Sequence, residues 1–258
     1  MAGRMVPGTP VRSRRMRLRR RLARAARRRS VTTRRGALSA VRAAAYRRPD
    51  AGWLSAVPSA LRRRFRLDPP PPGRRRVEIG AGFSPRPGYV HVDVVPFTDD
   101  IDLVASGDRL PLPLGWADEL LSVHMIEHVP PPRLVATLRH WHEVLVPGGS
   151  LTIHTPNGAA LGAALVEAGR GAAPSYWPAM SAVFGYGQHP ADTSGPDGLR
   201  GAPDHKLVLT LPWLQALLEE AGFVDVRDVS GTDEHCHHTR DWKPYVEGLC
   251  LEVTARRP

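Results

Sequence analysis

Short runs of β-branched and aliphatic residues alternate with amphipathic, helix-like segments between residues 76 and 254. Strand-like runs cover residues 76–79, 89–93, 101–104, 119–124, 150–154, 223–229 and 249–254, and helical spacing of apolar residues covers 133–146 and 211–221. Strands that alternate with helices favour a mostly parallel sheet, and the last strands are able to form an antiparallel edge. The pattern therefore predicts a doubly wound α/β domain.

Charge divides the chain into two unequal parts. Residues 1–76 contain 24 arginines, no lysine and only two acidic residues, whereas residues 77–258 hold 12 basic and 23 acidic residues. Because arginine runs repel one another and offer little to bury, we expect residues 1–74 to form a largely disordered arm ahead of a folded domain at 75–258. A stiff polyproline segment at 69–72 ends the arm. Some apolar residues of the arm have helical spacing and could dock on the domain: Leu54, Val57, Leu61 and Phe65.

Several functions are compatible with this arm. Guanidinium groups bind phosphates, so residues 1–66 are a candidate nucleic-acid contact. The segment Thr33-Arg34-Arg35 hints at a twin-arginine export signal, although Arg42 interrupts the apolar stretch that follows, and a transit peptide would also be rich in arginine. The simplest alternatives are a solvated tail and a start codon assigned upstream of Met5 or Met16.

Hydropathy and cysteine content exclude two broad classes of protein. No apolar run approaches the roughly 18–20 residues of a membrane-spanning helix, and 42% hydrophobic residues suffices for one core. Two cysteines, Cys236 and Cys250, cannot build a disulfide framework or, without other ligands, a thiolate zinc site. We therefore expect a reduced, cytoplasmic protein that makes no membrane contact.

The first two predicted strands end in residues suited to ligand binding. Gly80 and Gly82 follow the first strand, where missing side chains let the backbone approach a ligand closely. Asp93 closes the second strand, from which a carboxylate can accept hydrogen bonds from ribose hydroxyls. Since ligands of such sheets bind outside the carboxyl ends of the strands, the arrangement is typical of a nucleoside site.

These stretches, in their order and spacing, resemble the class I S-adenosylmethionine-dependent methyltransferases, in particular the methyltransferase type 11-like group. The matching segments are 77–82 (VEIGAG), 91–93 (HVD), 108–113 (DRLPLP), 122–129 (SVHMIEHV), 144–149 (VLVPGG), His205-Lys206 and 220–223 (EAGF). The resemblance covers residues 75–255 and implies a Rossmann-like fold that uses S-adenosyl-L-methionine as cofactor.

The resemblance also implies roles for individual residues. It places Glu78, Gly80 and Gly82 under the methionine part of the cofactor, Asp93 on the ribose, Asp108 with Leu110 near the adenine, and His124 near the sulfonium and the acceptor. Two features depart from the family pattern. Asp93 follows Gly82 by only 11 positions, and prolines lie between them, so the first helix is expected to shorten to a loop without the usual helix N-terminus. In addition, Glu143 stands where the family usually has a basic residue.

Methyl transfer is an in-line displacement, and a general base helps only some acceptors. His124 and His154, at the ends of neighbouring strands, are the candidate bases, and His205 could reach the site from a later loop. Residues 124–128 also spell an inverted zinc-hydrolase motif. The prolines at 130–132 leave barely one turn for the helix that such a motif requires, so we expect no metal.

Two further segments are predicted to border the site. Residues 158–205 are interpreted as an insert over the strand ends that forms a lid or part of the acceptor pocket. Residues 233–238 (DEHCHH) are interpreted as a polar loop on the substrate side or at the sheet edge, because adjacent residues rarely converge on one ion.

The sequence thus predicts a methyltransferase that acts on a small-molecule acceptor. Alternatives are an RNA or protein methyltransferase recruited by the arm, a non-catalytic binding protein of the same fold, and a zinc hydrolase. The sequence does not identify the acceptor or the atom that is methylated.

Overall fold

The structure of the chain, a computed structural model, describes residues 33–49, 52–83, 85–169, 183, 205–231 and 249–258. Three predicted features therefore lie wholly or mostly outside the described residues: the first 32 residues of the arm, the insert beyond residue 169, and the polar loop at 233–238. None of the described helices has the length and hydropathy needed to cross a membrane.

One sheet organises the described part of the chain. Its strands are β1 (Arg76–Ile79), β2 (Val90–Asp93), β3 (Leu103–Val104), β4 (Ala117–Val123), β5 (Leu145–Pro156), β6 (Val224–Asp228) and β7 (Cys250–Arg256). They lie in the order β3-β2-β1-β4-β5-β7-β6. Strands β1 to β5 pair in parallel, whereas β7 runs antiparallel to both of its neighbours. The predicted Rossmann-like, doubly wound sheet with an antiparallel edge is confirmed.

Helices cover this sheet. They are α1 (residues 33–47), α2 (Gly52–Ser55), α3 (Ser59–Phe65), α4 (Leu134–Val144), α5 (Gly158–Gly169) and α6 (Leu211–Glu220), with short 3₁₀ turns at Ile126–His128 and Pro131–Arg133. The predicted apolar stripe of α4 is buried through Leu134, Leu138 and Trp141. Burying side chains of this size contributes about 1.5–3 kcal/mol each. The Trp141 indole also donates a hydrogen bond of 2.8 Å to the Gly107 carbonyl.

The sequence predicts that strand β5 starts at residue 150. In the structure it starts five residues earlier, at Leu145. Its first residues pair with the chain that follows β7: Gly148 N–H donates to the Arg257 carbonyl, and Arg257 N–H donates to the Gly149 carbonyl, both at 2.9 Å. Long-range pairing therefore draws the Pro-Gly-Gly segment, whose local signal is that of a turn, into the strand.

The packed part of the chain begins upstream of the predicted boundary at residue 74. Tyr46 and Leu54 are buried in the same core as the sheet, and the Tyr46 ring stacks on Trp116 at 5.6 Å between centroids. The Ser39 hydroxyl accepts a hydrogen bond of 2.7 Å from the Val104 amide, so α1 covers the edge strand β3. Of the four apolar residues expected to dock, Leu54 is buried in the core and Val57 packs against it, whereas Leu61 and Phe65 are exposed.

A buried arginine explains why charge is a poor guide to this boundary. Arg42, on α1, donates hydrogen bonds to the carbonyls of Phe65, Ile101 and Asp102 at 2.7, 3.3 and 3.1 Å. The Asp102 carboxylate, also buried, lies 3.8 Å from Arg42 and 2.9 Å from Arg66. These partners offset the free-energy cost of burying a guanidinium group. An argument from composition alone would place that group in solvent.

The described residues between β1 and β2 (80–83 and 85–89) form turns and no helix, which confirms the predicted shortening. His91 anchors this loop from β2. Its Nδ1 lies 3.0 Å from the Asp100 carbonyl oxygen and its Nε2 lies 2.6 Å from the Arg86 carbonyl oxygen. Since both ring nitrogens must donate to carbonyls, the contacts favour the protonated imidazole.

Candidate functional site

The carboxyl ends of three adjacent strands bring the predicted cofactor residues together. Ile79, the last residue of β1, is in register with Val92 on β2 and with Ser122 on β4. Gly80, Asp93 and His124 therefore follow one another along a single edge of the sheet, β2 and β4 flanking β1. This is the edge at which open α/β sheets bind ligands.

The two loop glycines differ in what surrounds them. Both have a positive φ, +79° at Gly80 and +57° at Gly82, a backbone region that side chains disfavour. A Cβ atom at Gly80 would lie 2.8 Å from the Met125 Cβ, whereas at Gly82 it would meet nothing nearer than the Gly80 oxygen at 4.0 Å. Gly80 is thus required by packing, and the Gly82 backbone borders open space.

Asp93 ties the end of β2 to this loop. Its Oδ2 accepts a hydrogen bond from the Gly82 amide and its Oδ1 accepts one from the Val95 amide, both at 2.9 Å. Burial raises the pKa of Asp93 above its usual value, and the two amide bonds oppose that shift. Because a carboxylate offers about four acceptor sites, the group can still receive ribose hydroxyls.

Glu78, on β1, is almost fully buried beneath the loop. Its Oε2 accepts a hydrogen bond of 2.8 Å from the Arg86 amide and lies 3.6 Å from His91 Nε2. Burial raises the pKa of this carboxyl. These contacts hold the shortened loop in place, and a direct contact of Glu78 with the cofactor stays a prediction.

The two residues expected near the adenine have different environments. Asp108 is partly exposed, and Arg133 Nη1 lies 3.1 Å from its Oδ2. A hydrogen bond from Ser106, together with Arg133, lowers the pKa of Asp108. The Leu110 side chain is buried in the core, and its carbonyl oxygen lies 3.3 Å from His140 Nε2. Of these two residues, Asp108 presents a polar side chain at the surface and Leu110 does not.

His124 follows β4 with a φ of +45°, which is unusual for a residue with a side chain. Its Nδ1 lies 3.1 Å from Glu127 Oε1, and its Nε2 lies 3.5 Å from Cys250 Sγ. Burial acts against protonation, but the hydrogen bonds to Cys250 and Glu127 raise the pKa of His124 to about 10. In this arrangement the imidazole donates rather than accepts, so the predicted role of general base requires that it first lose its proton.

His154, the second predicted base, is fully buried within the sheet. It stands directly opposite Glu252 in the β5–β7 pair, and its Nε2 lies 2.9 Å from the Glu252 carboxylate. The structure therefore places this imidazole in the interior rather than on the open edge beside His124.

Three residues that the sequence interpretation did not combine form a cluster beside His124. Potential ligand atoms of Glu127, His128 and His205 all lie within 4.8 Å of one another. The His128 and His205 rings make an edge-to-face contact at 4.9 Å, and Lys206 N–H donates to the Glu127 carbonyl at 2.7 Å. A parallel bridge between Asn157 and Leu209 brings this later segment back to the end of β5. The sequence analysis did name the motif at 124–128 and His205 as separate features. That they lie side by side depends on the tertiary structure and could not be read from the sequence.

Solved structures of similar fold were found at low sequence identity. A methyltransferase of Thermotoga maritima is 16% identical and the match covers 71% of this chain and 82% of its own, with a TM-score of 0.44. One of Archaeoglobus fulgidus is 18% identical, with coverages of 76% and 91% and a TM-score of 0.44. One of Mesorhizobium loti is 18% identical, with coverages of 71% and 90% and a TM-score of 0.43. All three are described as S-adenosylmethionine-dependent methyltransferases.

No protein-family model and no curated protein matches the sequence. The sheet, with five parallel strands and an antiparallel β7 between β5 and β6, is of the Rossmann-like, mostly parallel kind that the resemblance in sequence implies. The described residues thus have a Rossmann-like, doubly wound α/β fold.

Proposed function

We propose that the protein transfers a methyl group from S-adenosylmethionine to a small-molecule acceptor. The observation that carries this proposal is the contact between the Gly82 amide and the Asp93 carboxylate, which joins the ends of β1 and β2 at 2.9 Å. The contact fixes a buried acceptor group beside backbone that borders open space. A nucleoside with vicinal hydroxyls needs both features.

Methyl transfer requires of the protein mainly that it position the two reactants. The acceptor attacks the methyl carbon in line with the sulfonium, so holding the two reactants in that geometry can supply about 7–11 kcal/mol of the barrier. Asp93 would hold the ribose, the loop at 80–82 would lie under the methionine part, and Asp108 would face the adenine. His124, at the end of β4, would lie beside the acceptor.

Calorimetric titration with S-adenosylhomocysteine tests the proposal. We expect the full chain to bind this product and Asp93→Asn to bind it about 10–100-fold more weakly, because each hydrogen bond to a charged acceptor contributes about 1.5–3 kcal/mol. Asp225→Asn is the matched control, since Asp225 is exposed on the far edge strand β6. Folded wild-type protein that binds no S-adenosylhomocysteine, or equal affinities of wild type and Asp93→Asn, would contradict the proposal.

Nucleic-acid binding through residues 1–66 stays a prediction, and the structure sharpens its test. Arg42 and Arg66 are held by carbonyls and carboxylates of the domain, so deleting all 66 residues would damage the fold. Deleting residues 1–32 removes 12 arginines and spares α1. If the arm binds RNA, this deletion should weaken retention and flatten its dependence on salt. Unchanged retention would show that residues 1–32 take no part in RNA binding.

A further inference from the structure

We propose that Glu127, His128 and His205 form a binding site for a divalent transition-metal ion. Two imidazoles and one carboxylate are a donor set that suits Zn²⁺ and its neighbours in the first transition series. The site lies beside the end of β4, and it goes beyond the cofactor contacts described above.

The distances between the donor atoms fit a site that needs little adjustment. In a tetrahedral site with bonds near 2.0–2.1 Å, neighbouring donors lie about 3.3 Å apart. Glu127 Oε1 lies 3.9 Å from His205 Nε2, and all three donors lie within 4.8 Å of one another. Shifts of about 1 Å, within reach of side-chain torsions, would bring them to bonding distance of one ion.

One donor atom of the cluster is left without a protein partner among the described residues. Within the described residues, His128 Nδ1 is buried and has no hydrogen-bond partner. Buried polar atoms of this kind are rare and call for an unseen water or ion. Glu127 is fully buried as well, so an ion bound to it would be largely shielded from water.

Groups around the carboxylate would orient it as a ligand. Thr155 Oγ1 donates a hydrogen bond of 3.3 Å to Glu127 Oε2, and His124 Nδ1 lies 3.1 Å from Oε1. The Lys206 amide, bonded to the Glu127 carbonyl, fixes the backbone that carries His205. Such outer contacts hold the ligands of metal sites and tune their affinity.

An ion here would also bear on the acceptor. Residues 124–128 follow directly on β4, the strand at whose end the resemblance places the sulfonium and the acceptor. Three protein ligands leave one position free, which suits an oxygen or nitrogen donor of an incoming molecule. This last step rests on the proposed function, whereas the metal site itself does not.

Metal binding is tested on the full chain, expressed without a polyhistidine tag and stripped with a chelator. We expect one equivalent of Zn²⁺ in competition with a chromogenic chelator, and Co²⁺ uptake with the visible absorption of a low-coordinate ion. Glu127→Gln and His205→Ala should each weaken binding at least about a hundredfold, because loss of a mere outer-shell contact already costs about 10–100-fold. His140→Ala is the control, since His140 is a half-buried histidine of α4 outside the cluster.

Two results would overturn the site. One is wild-type protein that takes up no stoichiometric Zn²⁺ or Co²⁺. The other is uptake that both variants retain, which would place the ion elsewhere in the chain. His205→Asp keeps a metal-binding side chain at this position, so recovery of Co²⁺ binding in that variant would separate lost ligation from lost folding. S-adenosylhomocysteine binding, measured with and without Zn²⁺, shows separately whether the proposed function fails.

Discussion

Replacing Gly80 with alanine is the sharpest test of how the loop after β1 is built. Two penalties add at this position. The backbone has a φ of +79°, which costs a non-glycine residue about 1–2 kcal/mol. The new Cβ would lie 2.8 Å from the Met125 Cβ and 3.1 Å from its Cγ, and overpacking of this kind costs about 1–3 kcal/mol. We therefore expect Gly80→Ala to lower the free energy of unfolding by about 2–5 kcal/mol.

Gly82→Ala separates these two penalties. Gly82 also has a positive φ, but its added Cβ would meet no atom closer than 4.0 Å, so only the backbone penalty of about 1–2 kcal/mol applies. Urea unfolding of the full chain, followed by tryptophan fluorescence, measures both variants against wild type. If Gly80→Ala is no less stable than Gly82→Ala, the packing of Met125 against this loop is not as described, and the reasoning fails.

Three further predictions concern the contacts that hold the fold. His91 has a raised pKa because hydrogen bonds to Asp102 and to two carbonyls outweigh the effect of burial. The protonated imidazole therefore contributes its full stabilisation of the fold below the ordinary histidine pKa near 6.5, and that contribution is lost as the pH rises through the pKa of His91 in the folded protein. The difference in unfolding free energy between wild type and His91→Gln should accordingly shrink from pH 6 to 9, and a constant difference would contradict the assignment. Trp141→Phe should lower stability by about 1 kcal/mol or more, because the Gly107 carbonyl loses its donor, and a thermal melt showing no change would argue against that bond. Arg42→Met should destabilise by about 2–3 kcal/mol in urea, since three carbonyls lose a charged donor, and a neutral effect would mean that α1 is not docked through this group.

The sheet could be predicted from the sequence because its signals are local. Each predicted strand is present, and the acid that closes β2 meets the glycines that follow β1, as neighbouring parallel strands require. The shortened first helix was predictable for the same reason, since chain length and prolines act within a few residues. Such features need no knowledge of distant partners.

The packed segment upstream of residue 74 could not be predicted from charge. Arginine side chains in solvent favour a disordered segment, whereas an arginine beside a buried carboxylate can be part of the folded core. The partner of Arg42 lies 60 residues away in the chain, so the sequence around Arg42 does not distinguish the two cases. Composition averages over both cases. The pairing of Gly148 and Gly149 with Arg257, just after β7, was missed on similar grounds, because a local turn signal yields to long-range backbone hydrogen bonds.

The histidine motif at 124–128 shows that a local argument about one motif does not predict which distant residues lie beside it. The prolines after residue 129 do prevent the helix that an inverted zinc-hydrolase motif needs, and the structure has only a 3₁₀ turn there. A metal site, however, requires convergent donors and not a particular helix. Here the turn presents Glu127 and His128, and a segment nearly 80 residues later supplies His205. The same tight turn that rules out the hydrolase geometry leaves His128 Nδ1 buried and, among the described residues, without a hydrogen-bond partner, and the proposed ion would supply one.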